Sequence, residues 1–142
     1  MSPDLVRIVW ERAGAHCEYC HLAAGVDPRP FQIDHVIAKQ HGGSTEIDNL
    51  ALACIRCNRF KGPNIAGVDP DSGEVVRLFH PRRDPWTDHF AWEDVAIRPV
   101  TPIGWVTIAL LRLNDPEVIA LREALRDERG FPVGSERDAR QS

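Results

Sequence analysis

Two stretches, Cys17-Glu18-Tyr19-Cys20 and Cys54-Ile55-Arg56-Cys57, decide the fold of this chain, because they hold its four cysteines in matching pairs. A Cys-x2-Cys pair turns two sulfurs toward one point, and tetrahedral Zn²⁺ takes four thiolates. One ion bound by both pairs would close the loop between them. The spacing therefore predicts a structural Zn²⁺ site whose ligands are Cys17, Cys20, Cys54 and Cys57.

Disulfide bonds, or a set of buried or redox-active thiols, are the alternatives to metal at these cysteines. The sequence starts Met1-Ser2-Pro3-Asp4, without the basic and apolar leader of an exported protein. Thiols in proteins that are not exported usually stay reduced, which favours metal. Because zinc-thiolate sites can contribute ~10–16 kcal/mol of apparent folding free energy, residues 15–61 are not expected to hold their shape without zinc.

The composition is that of a soluble protein, with 43% hydrophobic residues and no apolar run of membrane-spanning length. We therefore expect a cytoplasmic protein. The formal net charge of −4 argues against a protein that coats nucleic acid by charge alone. Residues 55–61 nevertheless carry three cations and no anion, which predicts local phosphate binding that salt weakens.

Hydrophobic periodicity and turn residues predict the secondary structure around the cysteines and beyond them. The order is a strand, a long loop, a strand and a helix, followed by a more mixed region. The predicted elements are a helix from Ser2-Pro3 to Gly14, strands over 31–36 and 49–53, a helix over 54–61, strands over 75–79, 90–92 and 95–97, and a helix from Asp115 to Gly130.

Further residues of chemical interest lie at fixed places between and after the cysteine pairs. In order, the set reads Cys17-x2-Cys20, Asp34-His35, Gly42-Gly43, Asn49-Leu50, Cys54-x2-Cys57-Asn58 and Lys61. Over about residues 13–62 this set resembles the zinc-stapled HNH endonucleases, whose active centre is a ββα-metal hairpin. Each element alone would be a weak signal, whereas their joint order and spacing is specific.

The resemblance implies an α+β fold. We expect a ββα-metal HNH module with a four-cysteine zinc site and an N-terminal helix over residues 1–65. A mixed C-terminal extension that ends in a helix is expected to pack on the module over 66–131, and a disordered tail over 132–142. The resemblance does not imply what the extension does.

Hydrolysis of a phosphodiester needs an activated water, and His35 can supply the base, because an imidazole with a pKa near ~6.5 accepts a proton at physiological pH. The resemblance implies that His35 is the general base and that Asp34 and Asn58 bind a metal. Their oxygen donors suit one Mg²⁺ or Mn²⁺ rather than zinc. Neighbouring side chains on a strand point to opposite faces, so a shared role for Asp34 and His35 implies a departure from regular strand geometry.

Asn49 matches the middle position of the motif, and we expect it to hold the loop in place rather than to take part in the chemistry. The loop over 36–48 separates it from His35, and a side-chain amide bonded to the backbone would hold the imidazole in place. A plain turn residue is the alternative. Gly42-Gly43 is expected to supply a positive φ or a close passage of the backbone.

Several cations near the motif are candidates for contacts with substrate phosphates. Lys61 and Arg59 follow the last cysteine, and His41 lies in the loop between the strands. Arg56 is a further candidate, although helical spacing can turn its side chain away from the others. For each of these residues a solvated surface side chain is the alternative.

Other conspicuous side chains are interpreted as structural. The aromatic residues between 86 and 105 could stack unpaired bases, but core packing is favoured. The apolar stripe over 118–125 packs on the module or pairs with a second copy, so a homodimer is open but not indicated. His16 and His21 flank the first cysteine pair and are expected to be bystanders, because four cysteines complete the zinc shell.

The sequence therefore predicts a metal-dependent HNH endonuclease that hydrolyses phosphodiester bonds in nucleic acid, with DNA as the favoured substrate. A zinc-stabilised module that binds nucleic acid or protein without turnover is the alternative. The joint presence of Asp34, His35 and Asn58 favours catalysis, because cysteines alone would serve a binding module. Duplex, single-stranded, RNA and branched substrates, sequence preference and pathway stay undecided.

Overall fold

The computed structural model describes residues 1–129, and the fold is α+β, as the sequence predicts. Within these residues, helices combine with three two-stranded antiparallel sheets. In chain order the elements are α1 (Pro3–Ala13), β1 (Gln32–His35), β2 (Leu50–Ala53), α2 (Ile55–Lys61), β3 (Ala66–Val68), β4 (Val75–Arg77), α3 (Trp86–His89), β5 (Phe90–Glu93), β6 (Ala96–Pro99), α4 (Pro102–Leu111) and α5 (Pro116–Arg129). The helix end predicted at Gly130 and the tail predicted over 132–142 lie outside the described residues.

Helix α1 begins and ends at the residues that its capping signals predict. Ser2 Oγ accepts a hydrogen bond from the N–H of Leu5 at 3.2 Å, and Gly14 adopts the left-handed conformation with φ 60°. Val9 on α1 and Leu52 on β2 belong to one buried cluster. Helix α1 therefore covers one side of the strand pair.

The predicted order of strand, long loop, strand and helix is confirmed in the cysteine region. β1 and β2 pair antiparallel, with Gln32 opposite Ala53 and His35 opposite Leu50. All of β2 is buried, and α2 follows it directly with Cys54 as its N-cap. The two cysteine pairs thus join the segment before β1 to the start of α2.

Helix α4 is the longest element of the extension that the sequence did not predict. Its start carries an ordinary signal, because Thr101 Oγ1 accepts from the N–H of Gly104 at 3.2 Å. The residues after it are apolar on all sides, so no helical stripe is visible in the sequence. One side of the helix packs against α2, β3, β4 and β6, while Trp105 and Ala109 on the other side are exposed, so its solvent side carries no polar residues that would reveal a helical pattern.

The remaining elements of the extension agree in part with the prediction. The strands predicted over 75–79, 90–92 and 95–97 form as β4, β5 and β6, and β4 is shorter than predicted because it ends at Arg77. β3 and α3 were not predicted, and both span only three or four residues. Such short elements leave little periodicity to detect.

One buried core runs through both parts of the chain. Cys17 and Tyr19 belong to it together with Phe79, Val118 and Leu125. The apolar stripe of α5 therefore packs on the chain itself, and the predicted boundary near residue 65 is not a break in the core. The division into module and extension stays a prediction. Among residues 1–129, no helix is both long and apolar enough to cross a membrane.

Candidate metal centre and active site

Four buried sulfurs converge where the two cysteine pairs meet. All four ligand atoms lie within 4.8 Å of one another, and Cys20 Sγ is 3.7 Å from Cys54 Sγ. Tetrahedral zinc with Zn–S bonds of about 2.3 Å separates its sulfurs by roughly 3.8 Å. None of the four is in a disulfide. The predicted metal site is therefore confirmed as a group positioned for a metal, with spacing consistent with zinc: Cys17, Cys20, Cys54 and Cys57.

Negative charge on one sulfur of this buried cluster disfavours negative charge on the others when no cation is bound between them. Burial raises the pKa of Cys17, and hydrogen bonds from the other sulfurs raise the pKa of Cys57. Hydrogen bonds from the same group lower the pKa of Cys54, so charge is favoured there at the expense of its neighbours. A metal ion that takes every sulfur as a thiolate removes this competition.

Arg122 of α5 places a buried cation beside this cluster. The residue is 0% exposed, and its Nη2 donates to the carbonyl of Cys20 at 3.4 Å while Nη1 donates to the carbonyl of Val95 at 3.1 Å. Burial lowers the pKa of Arg122, and the charges of the four cysteines raise it. Four thiolates around Zn²⁺ carry a net negative charge, so this guanidinium offsets the charge of the metal cluster.

Asp34 is buried on β1 and is bonded through both carboxylate oxygens. Tyr19 Oη donates to Oδ2 at 2.7 Å, and Lys61 Nζ lies 3.1 Å from Oδ2 and 3.3 Å from Oδ1. Burial raises the pKa of Asp34, while Lys61 and Tyr19 oppose that change. Because a carboxylate offers about four acceptor positions, one position on Oδ1 is left for a further ligand.

Asn58 lies on the side of α2 that faces β1. Its Nδ2 donates to Gln32 Oε1, and Gln32 shares a strand face with Asp34 because the two residues are two positions apart. Lys61, on the same helix, bonds Asp34. The structure therefore brings Asp34 and Asn58 to one interface, between β1 and α2.

The oxygens at this interface fit a hard cation. Within residues 1–129, the side-chain oxygen of Asn58 has no bonding partner, so it is available as a metal ligand at the interface that also holds Asp34. Mg²⁺ and Mn²⁺ are commonly held by one or two such donors and keep several waters. Across the described part of the chain, the cysteines are the one group of three or more His, Cys, Asp and Glu side chains positioned for a metal. A catalytic cation would therefore depend on few protein donors.

His35 ends β1 and is held by a residue of the following loop. Its Nε2 is 2.9 Å from Thr45 Oγ1. Burial and the charge of Lys39 lower the pKa of His35, so the ring is neutral at physiological pH. The β1–β2 pairing stays regular through Asp34 and His35, and the bend comes at residues 36–37. The departure from strand geometry that a shared role requires is therefore not at Asp34-His35 but begins directly after His35, and the two side chains have different neighbours in the structure.

Asn49 fastens the loop between the strands through three side-chain hydrogen bonds. Its Oδ1 accepts from the N–H of Ile37 at 2.9 Å, and its Nδ2 donates to the carbonyls of Ile37 at 2.9 Å and Ser44 at 2.8 Å. The predicted bonding of this amide to backbone is present. Because Ser44 precedes Thr45, these bonds also fix the residue that contacts His35.

The two glycines of the loop serve the two purposes that the sequence suggested. Gly42 has φ +89°, a conformation that glycine adopts without strain. At Gly43 a Cβ would lie 1.7 Å from the carbonyl oxygen of Ile37 and 2.8 Å from Asn49 Nδ2. The loop therefore needs a left-handed residue first and a close passage of the backbone second.

Lys61 is inside the protein rather than on its surface. Its side chain is 1% exposed, and besides Asp34 its ammonium donates to the carbonyls of His35 at 3.3 Å and Val36 at 2.9 Å. These contacts make it the counter-ion of Asp34 and tie α2 to the end of β1. A contact between Lys61 and a substrate phosphate stays a prediction.

The other predicted phosphate contacts, Arg59 and His41, are exposed on α2 and on the loop. Arg56, the further candidate, instead pairs with two carboxylates of the extension. Its Nη1 donates to Glu117 Oε2 at 2.7 Å and its Nη2 to Asp115 Oδ2 at 3.2 Å. Arg56 therefore ties α2 to the start of α5, whereas Arg59 and His41 remain accessible.

The aromatic residues of the extension are mainly core residues. Trp86 and Phe90 are buried with ring centroids 5.1 Å apart, as favoured, whereas Trp105 is 44% exposed. His21 stacks on Trp86 at 4.2 Å. Neither His16 nor His21 belongs to the metal-ligand group, so both are bystanders at the zinc site, as expected.

Three residues that contact the predicted site were missed: Tyr19, Gln32 and Thr45. Gln32 had a detectable signal, because a strand places it on the same face as Asp34. Tyr19 and Thr45 reach the site only through the tertiary structure, and neither residue type marks a metal or catalytic site by itself.

Comparison with known proteins finds a match for one part of the chain. Residues 17–64 match the family model described as HNH endonuclease. No curated protein and no solved structure matches the chain. The matched segment contains both cysteine pairs, β1, β2 and α2, and it stops before β3.

Proposed function

Because residues 17–64 form an HNH endonuclease domain, we propose that this protein is a metal-dependent endonuclease that hydrolyses phosphodiester bonds in nucleic acid, with DNA as its expected substrate. The observation that supports the proposal most is the shared interface of β1 and α2, where Lys61 bonds Asp34 and Asn58 bonds Gln32, in the same domain as four sulfurs positioned for a metal. Structural zinc holds these elements, and a second, hard cation serves catalysis.

His35 acts as the general base. In the tautomer protonated at Nε2, the ring donates to Thr45 Oγ1, and the lone pair of Nδ1 can accept a proton from water. The lowered pKa keeps the ring neutral and ready for this step. A positioned base of this kind contributes about 10²–10⁴-fold to the rate.

Asp34 and Asn58 hold the catalytic cation through their side-chain oxygens. When bound, Mg²⁺ or Mn²⁺ supplies Lewis-acid stabilisation of the charge on the phosphate. Tyr19 and Lys61 orient Asp34 and favour its ionised form despite its burial. Arg59 and His41, both exposed, contact the substrate backbone and position it without reading its sequence.

A binding module without turnover is the second candidate, and one observation favours it. Both oxygens of Asp34 are already bonded within the chain, by Tyr19 and Lys61. If the chain only binds nucleic acid or protein, Asp34, His35 and Asn58 can be replaced without loss of that function. The same replacements abolish or strongly reduce activity in the enzyme.

Nicking of supercoiled plasmid by the zinc-loaded full chain, with Mg²⁺ or Mn²⁺, distinguishes the two candidates. We expect His35→Ala to lower the rate by at least about 10²-fold, because the base is lost. Asn58→Ala should lose activity as well, while Asn64→Ala, an exposed amide just beyond α2, should keep it. Mild chelation should stop cutting before zinc leaves the protein.

Zinc content, measured for every variant, separates loss of chemistry from loss of fold. Equal and negligible cutting by wild type and His35→Ala, with both metals and on duplex, single-stranded and RNA substrates, would reject the enzyme. Loss of zinc together with activity in His35→Ala would show a structural role for this residue instead.

A further inference from the structure

A cavity of about 290 Å³ lies where the extension meets the end of β1. Val36, Ile37 and Lys61 line it from the HNH domain, and His80 and Arg83 line it from the extension. Val36 directly follows the proposed base in the chain, and the ammonium of Lys61 bonds the proposed metal ligand on the other side. The cavity therefore adjoins the proposed active site.

His80 lines this cavity and can donate a hydrogen bond from Nε2. Its Nδ1 accepts from the backbone N–H of Arg82 at 3.2 Å, so the neutral ring carries its proton on Nε2. The residue is 5% exposed, and Nε2 has no partner among residues 1–129. Burial and the charge of Arg83 lower the pKa of His80, which keeps the ring neutral. An N–H donor of a largely buried residue, without a protein acceptor, thus borders the cavity.

The cations around the cavity differ in how far their charge is already neutralised. Lys61 is paired with Asp34, and Arg77 is paired with Asp84 at 2.7 Å. Arg83 is exposed, and its side chain has no partner in the described part of the chain. One uncompensated charge and one N–H donor suit a singly charged anion. A phosphodiester fits this count better than a terminal phosphate, which carries more charge.

We propose that this cavity binds a backbone phosphate of the nucleic acid next to the scissile one, with His80 Nε2–H and Arg83 as its donors. The proposal rests on the proposed nuclease function and deepens it, because it gives the extension a share of the substrate site. Hydrogen bonds from a guanidinium and an imidazole to a phosphate position the strand and carry no sequence information.

Titration of the zinc-loaded full chain with dimethyl phosphate, a singly charged phosphodiester, followed by ¹H–¹⁵N spectra of the histidine rings, tests the site without any nuclease activity. We expect saturable shifts of the His80 ring signals, and we expect Arg83→Ala to weaken phosphate binding by about tenfold, because a charged hydrogen bond is lost. Unmoved His80 signals, or equal binding by Arg83→Ala, would overturn the proposal.

Binding of a labelled oligonucleotide at several salt concentrations tests the substrate role, with His35→Ala as the background so that no cutting occurs. Arg83→Ala should lower the slope of log affinity against log salt by about 1, the loss of one phosphate contact. Arg98→Ala is the control, because this arginine is an exposed side chain on β6 and faces only Glu93 at 3.9 Å. Equal slopes for wild type and Arg83→Ala would reject the site.

Different results would reject the proposed nuclease activity and the proposed phosphate site. Plasmid that stays intact while His80 responds to dimethyl phosphate and Arg83→Ala changes the salt slope rejects nuclease activity and keeps the phosphate site. Plasmid that is cut by wild type and by Arg83→Ala with the same KM, while His80 does not respond, keeps the nuclease and rejects the phosphate site.

Discussion

The four-cysteine region, residues 17–64, buries sulfurs and charged groups together with a small set of apolar side chains such as Leu50 and Leu52, whereas the extension over residues 66–129 buries mainly aromatic and aliphatic side chains. Asp34 and Lys61 are both at most 5% exposed in the first region, and Phe79 and Leu111 are equally buried in the second. Apolar burial stabilises the extension directly. The first region keeps polar groups at its centre, and metal ligation would add to the stability that its small apolar core provides.

The two regions nevertheless meet at one residue of the first cysteine pair. Trp86 Nε1 donates to the carbonyl of Tyr19 at 3.2 Å, and the ring of Phe79 lies edge-on to Tyr19 at 6.3 Å. The hydroxyl of Tyr19 in turn bonds Asp34. The extension therefore supports the residue that orients the proposed metal ligand, and it does so through apolar and backbone contacts.

Removal of zinc should have the largest effect, and it should fall first on residues 17–64. Zinc-thiolate ligation can contribute ~10–16 kcal/mol, which matches or exceeds the ~5–15 kcal/mol stability of a whole domain. Hydrogen exchange of the zinc-free chain, or of Cys57→Ser, should show β1, β2 and α2 unprotected. We expect α4 and α5 to keep more protection. Full protection of β1 and β2 without zinc would contradict the difference between the two regions.

Arg122→Met should have the next largest effect, although Arg122 belongs to the extension. Loss of this buried cation leaves the charge of the thiolate cluster without its partner, which costs about 3–5 kcal/mol. Arg126→Met, one turn further along α5, is the matched control, because Arg126 pairs with Asp94 at the surface. Urea unfolding of both zinc-loaded variants should separate them. Equal stability of the two variants would show that Arg122 does not support the metal site.

Thr45→Val should have the smallest effect on stability and a specific effect on cutting. The variant loses one hydrogen bond to His35, about 0.5–1.5 kcal/mol, which corresponds to a fall of up to about tenfold in rate. Thr45→Ser should restore the rate, and Thr87→Val, an exposed threonine on α3, should not change it. A rate unchanged by Thr45→Val would show that the loop does not position His35.

The secondary structure of the four-cysteine region, residues 17–64, was also easier to predict from the sequence than that of the extension. Cysteine spacing, the capping signals of α1 and the strand alternation predicted the order of α1, β1, β2 and α2. The amide of Asn49 was expected to bond backbone because a long loop needs such a restraint. These are local signals, and the resemblance to HNH endonucleases rested on the same short segment.

The extension was less predictable because its elements are short or apolar on every side. Helix α4 has no polar face, so its periodicity is invisible until its neighbours are known. Within the site, the contacts of Tyr19 and Thr45 depend on the way distant segments fold together. The buried position of Lys61 was also hidden, since a lysine after a cysteine pair suggests a surface cation until a buried partner such as Asp34 is found.

Titration of Mn²⁺ into the zinc-loaded, ¹⁵N-labelled full chain, followed by paramagnetic broadening of NMR signals, tests the central claim most directly. The account predicts that signals of Asp34, His35 and Asn58 broaden at the lowest Mn²⁺ concentration. Asp34→Asn should remove this broadening, while Asp48→Asn, an exposed carboxylate in the loop, should keep it. Unchanged broadening in zinc-loaded Asp34→Asn, or broadening confined to other parts of the chain, would contradict the account.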